Sequence, residues 1–183
     1  MTRVLLHGGY PGFFEGATAD TAMFTRLAEA AQATDGKILL HFAGYDHKPE
    51  FIEAFEKNLH AHAPKVKRVL TQETTLPEQL AAHKVIFLQG GARLKQWELF
   101  EGVSKNVFKQ AALVAGSSAG AMLLCRYGHS SKFGVKQGVG LVEVSVIVHA
   151  NARPADDYIM ALQSQCAAPV LVLNELQMVE VAV

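Results

Sequence analysis

Short apolar segments without strict alternation of polar and apolar residues recur along this chain. Strands buried on both faces of a sheet have this pattern, whereas half-exposed strands alternate. Seven segments show it: Val4–His7, Lys37–Ala43, Val66–Leu70, Val85–Gln89, Ala112–Ala115, Ser145–His149 and Val170–Leu173. Between most of them, apolar residues recur at helical spacing, which predicts helices. These stretches are Ala22–Ala31, Glu50–His62, Pro77–Ala82, Leu94–Gln110 and Pro154–Gln165.

Strands that alternate with helices predict an α/β fold with a doubly wound, mostly parallel sheet flanked by helices. The length of 183 residues and the 50% apolar content predict one domain over residues 1–183. Tyr127–Gly140 lacks clear periodicity and is expected to be a surface loop or an irregular hairpin. Ligands of such sheets bind beyond the carboxyl ends of the strands, so functional residues are sought there.

Composition excludes several classes of function. Seventeen Lys and Arg residues balance seventeen Asp and Glu residues, so no overall field attracts nucleic acid or an anionic membrane. Cys125 and Cys166 are too few for a disulfide framework and are expected to be buried free thiols. No apolar stretch approaches the roughly eighteen residues of a membrane span, and the N-terminus does not resemble a signal peptide. A soluble, cytoplasmic protein is expected.

The segment Gly116–Gly120 has the pattern G-x-S-x-G between a predicted strand and a predicted helix. Such a sharp turn lifts a serine hydroxyl off the sheet edge, and the small flanking residues let strand and helix approach closely. This predicts Ser118 as a nucleophile, with the backbone N–H of Ala119 as one oxyanion donor. The alternative is a Gly- and Ser-rich turn that opens an ordinary helix, with Ser117 or Ser118 as its N-cap.

Two further Gly-rich turns follow predicted strands. Gly90 and Gly91 come directly after Val85–Gln89, and either could offer a second oxyanion donor or simply form a tight turn. Arg93 would open the next helix, where the dipole disfavours a cation, so binding of a substrate carboxylate is one reason for its presence. The turn His7–Gly12 fits neither G-x-G-x-x-G nor the P-loop pattern and is expected near the active edge.

A serine nucleophile needs a base and a group that orients the base. His149 ends a predicted strand and can reach the carboxyl edge, whereas His129 lies in a polar segment and is the weaker candidate. Glu143 shares the strand of His149, a poor position for orienting it. Glu175 follows the strand Val170–Leu173 and is the better candidate, with a solvent-facing turn carboxylate as its alternative.

The order of a Gly-Gly turn, a G-x-S-A-G-A elbow, a histidine and a glutamate resembles the peptidase E and cyanophycinase family of serine peptidases. By this resemblance Ser118 matches the nucleophile, Gly90-Gly91 the Gly-Gly turn and His149 the catalytic histidine. Asn174-Glu175 resembles the strand-end Asp-Glu of the cyanophycinase branch. The peptidase E branch instead has an aspartate between serine and histidine, and none occurs there in this chain.

The resemblance implies a fold similar to class I glutamine amidotransferases and cleavage of bonds next to aspartyl residues. This chain departs from the family at Ala92-Arg93, where a polar Asn or Asp-Gln is usual. Within the stretch that resembles the family's His-x-Asp-x-Arg pattern, Asn151 replaces the acid and Arg153 matches the arginine. These departures concern the substrate more than the reaction.

The sequence therefore predicts a serine peptidase that cleaves a small peptide or amide, next to an aspartyl or other acidic residue, through an acyl-enzyme. Arg93, Arg153 and Asn151 are the candidate substrate-binding residues. The mechanism requires no metal or other cofactor, and a homodimer is one option for the assembly. Two alternatives stay open: an α/β-hydrolase esterase, whose residue order would require Glu143 as the acid, and a non-catalytic metabolite-binding module.

Overall fold

A computed structural model of the chain describes residues 1–10, 21–42, 49–91, 93–131 and 133–183, with only the backbone of Arg93. The strands are β1 (Arg3–His7), β2 (Lys37–His41), β3 (Lys67–Leu70), β4 (Val85–Leu88), β5 (Leu113–Ser117), β6 (Cys125–Ser130), β7 (Gly134–Gln137), β8 (Val142–Ile147), β9 (Val170–Val172) and β10 (Met178–Ala182). The α-helices are α1 (Thr21–Gln32), α2 (Pro49–His62), α3 (Leu76–Ala82), α4 (Arg93–Leu99), α5 (Ala119–Leu124) and α6 (Ala155–Gln165). Short 3-10 helices span Glu73–Thr75, Lys105–Phe108 and Ala150–Ala152.

The main sheet has the strand order β10-β1-β5-β4-β2-β3 within the described residues. Its neighbours run parallel except for the antiparallel pair of β1 and β10. Every residue of β4 and β5 is buried, which agrees with their continuous apolar sequence. One face carries Phe87, which lies in one core cluster with Phe24 and Phe55, and the other carries Leu88, which lies in a second cluster with Phe108. The predicted α/β fold with a mostly parallel sheet and flanking helices is confirmed.

A second sheet, with the order β7-β6-β8-β9 in the described part of the chain, was not predicted. The sequence predicted burial on both faces for these strands, which holds for most of β8, but β9 and the edge strand β3 are only partly buried. The apolar pattern also does not specify which strands pair with β8 and β9. The segment Tyr127–Gly140 contains the antiparallel hairpin of β6 and β7. Gly128 permits the close approach of β6 to α5, because a Cβ there would lie 2.6 Å from the Cβ of Met122. This sheet carries β8, which leads into His149.

Two sequence-based boundaries differ from the structure. The predicted helix Leu94–Gln110 is wrong in its length, because α4 ends at Leu99 and a separate 3-10 helix begins at Lys105. Gly102, with a φ of 76°, lies in the break, and the Ser104 hydroxyl caps the 3-10 helix by accepting from Asn106 N–H. The strand β10 was missed. The end of the predicted strand Lys37–Ala43 lies outside the described residues.

The two cysteines are buried free thiols, as predicted. Burial raises the pKa of the Cys125 thiol far above its ordinary range. Among the helices that the structure describes, none is long and apolar enough to cross a membrane. The single domain and the cytoplasmic location stay predictions.

Candidate active site

Ser118 lies at the turn between β5 and α5 with backbone angles of φ 52° and ψ −115°. Residues other than glycine rarely adopt such angles, and holding one there costs on the order of 1–3 kcal/mol. Two backbone hydrogen bonds hold the turn: Ser118 N–H donates to the His7 carbonyl at 3.0 Å, and Met122 N–H donates to the Ser118 carbonyl at 3.1 Å. The strained backbone and these hydrogen bonds keep the side chain of Ser118 at the end of the central strand.

The glycines around Ser118 are required by close backbone contacts. A Cβ at Gly116 would lie 2.6 Å from the backbone of Gly120, where β5 and α5 cross. A Cβ at Gly120 would overlap the carbonyl group of Leu88 in the neighbouring strand β4. The spacing of the G-x-S-x-G pattern therefore has the steric origin that the sequence suggested: only glycine lets these three segments meet.

His149 follows β8 and brings its ring to Ser118. The Nε2 atom lies 2.9 Å from Ser118 Oγ, and the Nδ1 atom lies 2.8 Å from Glu175 Oε1. The side chains of His149 and Glu175 are only 15% and 16% exposed, so both hydrogen bonds are largely shielded from water. A carboxylate accepts hydrogen bonds, so the neutral imidazole places its proton on Nδ1. The lone pair of Nε2 then faces the Ser118 hydroxyl.

The backbone of His149 is also held in an uncommon conformation. Its φ of 55° and ψ of 38° are left-handed, and its N–H donates to the Gly8 carbonyl at 2.9 Å. The loop after β9 is fixed in a similar way, since Leu176, with a φ of 62°, donates its N–H to the Gly9 carbonyl at 2.9 Å. The turn after β1 therefore ties together the loops that carry His149 and Glu175.

Asn151, predicted to bind substrate, contacts the loop that carries Glu175. Its Oδ1 accepts a hydrogen bond of 2.9 Å from the Glu175 N–H. This hydrogen bond links the segment that follows His149 to Glu175 itself. An asparagine at this position thus has a structural partner on the acid-bearing loop, which the sequence did not indicate.

Gly9 is a site residue that sequence reasoning missed. Its φ is 102°, and a Cβ there would overlap the Cε1 and Nε2 atoms of His149. The Gly9 N–H donates to His7 Nδ1 at 3.2 Å, and this Nδ1 atom also lies 3.0 Å from Ser117 Oγ. The Gly-rich turn after the first strand was the available signal, but only the fold shows that it packs against the imidazole.

We expect Gly9→Ala to lower kcat by at least about 100-fold, because the added methyl would push the His149 ring away from Ser118. The matched control is Gly36→Ala. Gly36 also has a positive φ, 70°, but a Cβ there would meet no atom within 4 Å. Both variants carry backbone strain of about 1–2 kcal/mol, which thermal unfolding measures. Equal activity of the two variants would contradict the assigned contact.

Gly90 lies directly beside Ser118. A Cβ on Gly90 would lie 2.7 Å from Ser118 Cβ and 2.9 Å from the Ala119 nitrogen. Gly91, with a φ of 143°, continues the turn. Arg93 is the first residue of α4, and its side chain, like Ala92, lies outside the described part of the structure. The predicted Gly-Gly turn is thus next to the serine and to the N–H predicted as the other oxyanion donor.

The two remaining titratable candidates lie elsewhere. His129 stacks on Tyr158 with ring centroids 4.0 Å apart, and burial and then the nearby charge of Arg153 lower its pKa. Glu143 is exposed and pairs with Lys105 at 2.9 Å and Arg126 at 3.3 Å. The hydrogen bond from Lys105 is the main cause of its lowered pKa. An esterase mechanism that needs Glu143 as the acid therefore has no support in this geometry.

Arg153 is half-buried and follows the 3-10 helix that begins after His149. Its positive charge acts on His129, whose ring stacks on Tyr158 of α6. Over the described residues, no group of three His, Cys, Asp or Glu side chains could hold a metal ion. The described site therefore consists of a serine, an imidazole, a carboxylate and backbone N–H groups.

Comparison with known proteins gives a consistent result. The model of peptidase family S51 matches residues 41–182. A crystal structure of a peptidase from an acI-B1 Actinobacterium superposes with a TM-score of 0.69 at 18% identity, covering 99% of this chain and 83% of that one. A protein described as a peptidase E from Listeria monocytogenes EGD-e superposes with a TM-score of 0.65 at 14% identity, covering 99% and 94%. No curated protein matches the sequence.

Proposed function

This chain belongs to peptidase family S51 and is a serine peptidase, and from that premise we propose that Ser118, His149 and Glu175 form its catalytic triad. The observation that carries the proposal is the pair of consecutive hydrogen bonds through one imidazole, at 2.9 Å to Ser118 and 2.8 Å to Glu175. These three side chains come from three separate loops at the carboxyl edges of the two sheets. The positive φ of Ser118 supports the proposal that this turn is a nucleophile elbow.

In the proposed reaction, Ser118 Oγ attacks the carbonyl carbon of a small peptide or amide while His149 Nε2 takes its proton. The tetrahedral intermediate collapses when His149 gives that proton to the leaving amine, and the C–N bond breaks to leave an acyl-enzyme. Water, deprotonated by the same imidazole, then hydrolyses the ester and restores Ser118. Glu175 orients His149 and stabilises the imidazolium that forms in both halves of the reaction.

The oxyanion of the intermediate would be held by backbone N–H groups. The N–H of Ala119 directly follows the nucleophile, and Gly90 or Gly91 would supply the second donor. The closeness of Gly90 to both Ser118 and the Ala119 nitrogen supports this assignment. Removal of one such donor in serine peptidases costs on the order of 10²–10³ in kcat.

For the substrate, we propose a small peptide, such as a dipeptide, with an acidic side chain next to the scissile bond. The resemblance to the peptidase E and cyanophycinase family is the basis of this choice. Arg93 and Arg153 are the cations proposed to hold the substrate carboxylate, and Asn151 would border the same region. Hydrolysis of aspartyl dipeptides at a higher kcat/KM than of the matching asparaginyl dipeptides would support the preference, and the reverse order would contradict it.

A fluorophosphonate reagent tests the triad directly. Mass spectrometry should locate the label on Ser118 in the wild type, and His149→Ala should lower the labelling rate by at least about 100-fold, since the base is lost. The matched control is His62→Ala, because His62 lies at the end of α2, where its ring hydrogen-bonds the local Asn58 carbonyl and stacks on Phe24. A folded wild type without label on Ser118 would refute the proposal.

The remaining parts of the proposal concern the setting of the enzyme. We propose a cytoplasmic location, because the two cysteines are free thiols, the state maintained in reducing compartments. The proposal involves neither nucleic acid nor a membrane surface. A homodimer stays a prediction, which light scattering on the purified protein tests.

A further inference from the structure

Gln96 is a buried polar residue on α4 with one backbone partner near the site. It is 1% exposed, and its Nε2 donates to the Gln89 carbonyl oxygen at 3.1 Å. Gln89, itself 2% exposed, directly precedes Gly90. Both side-chain Oε1 atoms are buried and accept no hydrogen bond from any group in the described part of the chain. An apolar side chain at position 96 would avoid this desolvation, so what the amide contributes is its bond to the Gln89 carbonyl.

The bond to this carbonyl orients the next N–H. The peptide between Gln89 and Gly90 is trans and planar, so its carbonyl and its N–H point in opposite directions. Gln89 N–H donates to the His41 carbonyl of β2. In an extended chain, the N–H and carbonyl of one residue point to the same side, and those of the next residue point to the other. The Gly90 N–H therefore faces the side of β5.

Ser118 lies on that side. Leu88 pairs with Gly116 in the parallel register of β4 and β5, which brings Gly90 level with Ser118. The steric contacts of Gly90 with Ser118 and Ala119 agree with this placement. Gly90 has no Cβ to restrict its φ, so the hydrogen bond from Gln96 to the Gln89 carbonyl helps to fix the orientation of this peptide.

We propose that Gln96 is a positioning residue that holds the Gln89–Gly90 peptide so that the Gly90 N–H, rather than that of Gly91, points at the oxyanion. This inference rests on the proposed acyl-transfer function of Ser118. Gln96 acts through the backbone and does not touch the substrate. Because the oxyanion forms only during the reaction, loss of the Gln96 amide lowers kcat and leaves KM nearly unchanged.

The test variant is Gln96→Met, which keeps the length of the side chain and removes the donor. The matched control is Gln79→Met. Gln79 lies in α3, and its side chain also bonds the backbone: its Oε1 accepts from the N–H of Gln72, which precedes the helix, at 2.8 Å. We expect Gln96→Met to lower kcat for p-nitrophenyl acetate and the rate of fluorophosphonate labelling by about 10- to 100-fold, with KM within about twofold. The affinity for phenylboronic acid, which forms a tetrahedral adduct on serine, should fall in parallel. Gln79→Met should match the wild type.

Partial unfolding would not mimic this result, because rates are normalised to the number of serines that the fluorophosphonate titrates. If the normalised kcat and the boronate affinity of Gln96→Met equal those of the wild type, the inference is overturned. A crystal structure of the variant in which the Gln89–Gly90 peptide has not moved would also overturn it. Failure of the wild type to label at Ser118 would instead refute the proposed function. The two failures are therefore distinguishable.

Discussion

Replacement of Ser118 by alanine is expected to lower kcat for an aspartyl dipeptide by on the order of 10⁶-fold, with KM changed little. In the proposed mechanism the hydroxyl oxygen is the attacking atom, and without it the imidazole at 2.9 Å has no nucleophile to activate. Residual hydrolysis would come from substrate binding and the backbone donors alone. Stopped assays with product separation measure the residual rate, and fluorophosphonate labelling should disappear from this position.

Ser117→Ala is the matched comparison for this prediction, because Ser117 is the neighbouring serine and occupies an x position of the G-x-S-x-G pattern. Its hydroxyl lies 3.0 Å from His7 Nδ1 and is fully buried. Its removal should cost about 1 kcal/mol of unfolding free energy, as for an ordinary buried hydrogen bond, while labelling of Ser118 continues. Labelling of Ser118→Ala at Ser117 with undiminished turnover would show that the wrong serine was assigned.

Glu175→Gln is the second large expected effect, a decrease in kcat on the order of 10³- to 10⁴-fold. The substitution keeps the shape of the side chain but removes the charge 2.8 Å from His149 Nδ1. A glutamine amide can donate to Nδ1, which would favour the tautomer with its proton on Nε2, the wrong one for a base. The imidazolium formed on attack would also lose its counter-charge. NMR of the imidazole nitrogens reports the tautomer, alongside kcat.

Glu143→Gln is the control for the acid, since Glu143 is the one carboxylate in the sequence between Ser118 and His149. It lies on the surface between Lys105 and Arg126, so its loss should leave kcat within about twofold of the wild type and change stability little, because water screens exposed ion pairs. A large decrease in kcat for Glu143→Gln with wild-type activity for Glu175→Gln would reverse the assignment of the acid.

The local pattern of the sequence was sufficient to predict the strands of the parallel sheet and the strand-turn-helix at Ser118. Burial on both faces leaves continuous apolar segments, and a turn of this tightness requires the glycines at positions 116 and 120. Both effects act over a few residues and are therefore visible in one chain segment. The position of His149 and Glu175 at strand ends likewise limited the candidates for base and acid.

Contacts between distant segments were decided only by the tertiary structure. The sequence does not show that β8 and β9 leave the main sheet, that Gly9 packs against the His149 ring, or that Asn151 bonds the backbone of Glu175. The pairing of strands and the packing of loops depend on which surfaces meet after folding, across separations of many residues. Local propensity and periodicity carry no information about contacts between distant segments. The tertiary structure therefore determined how His149 and Glu175 are held beside Ser118.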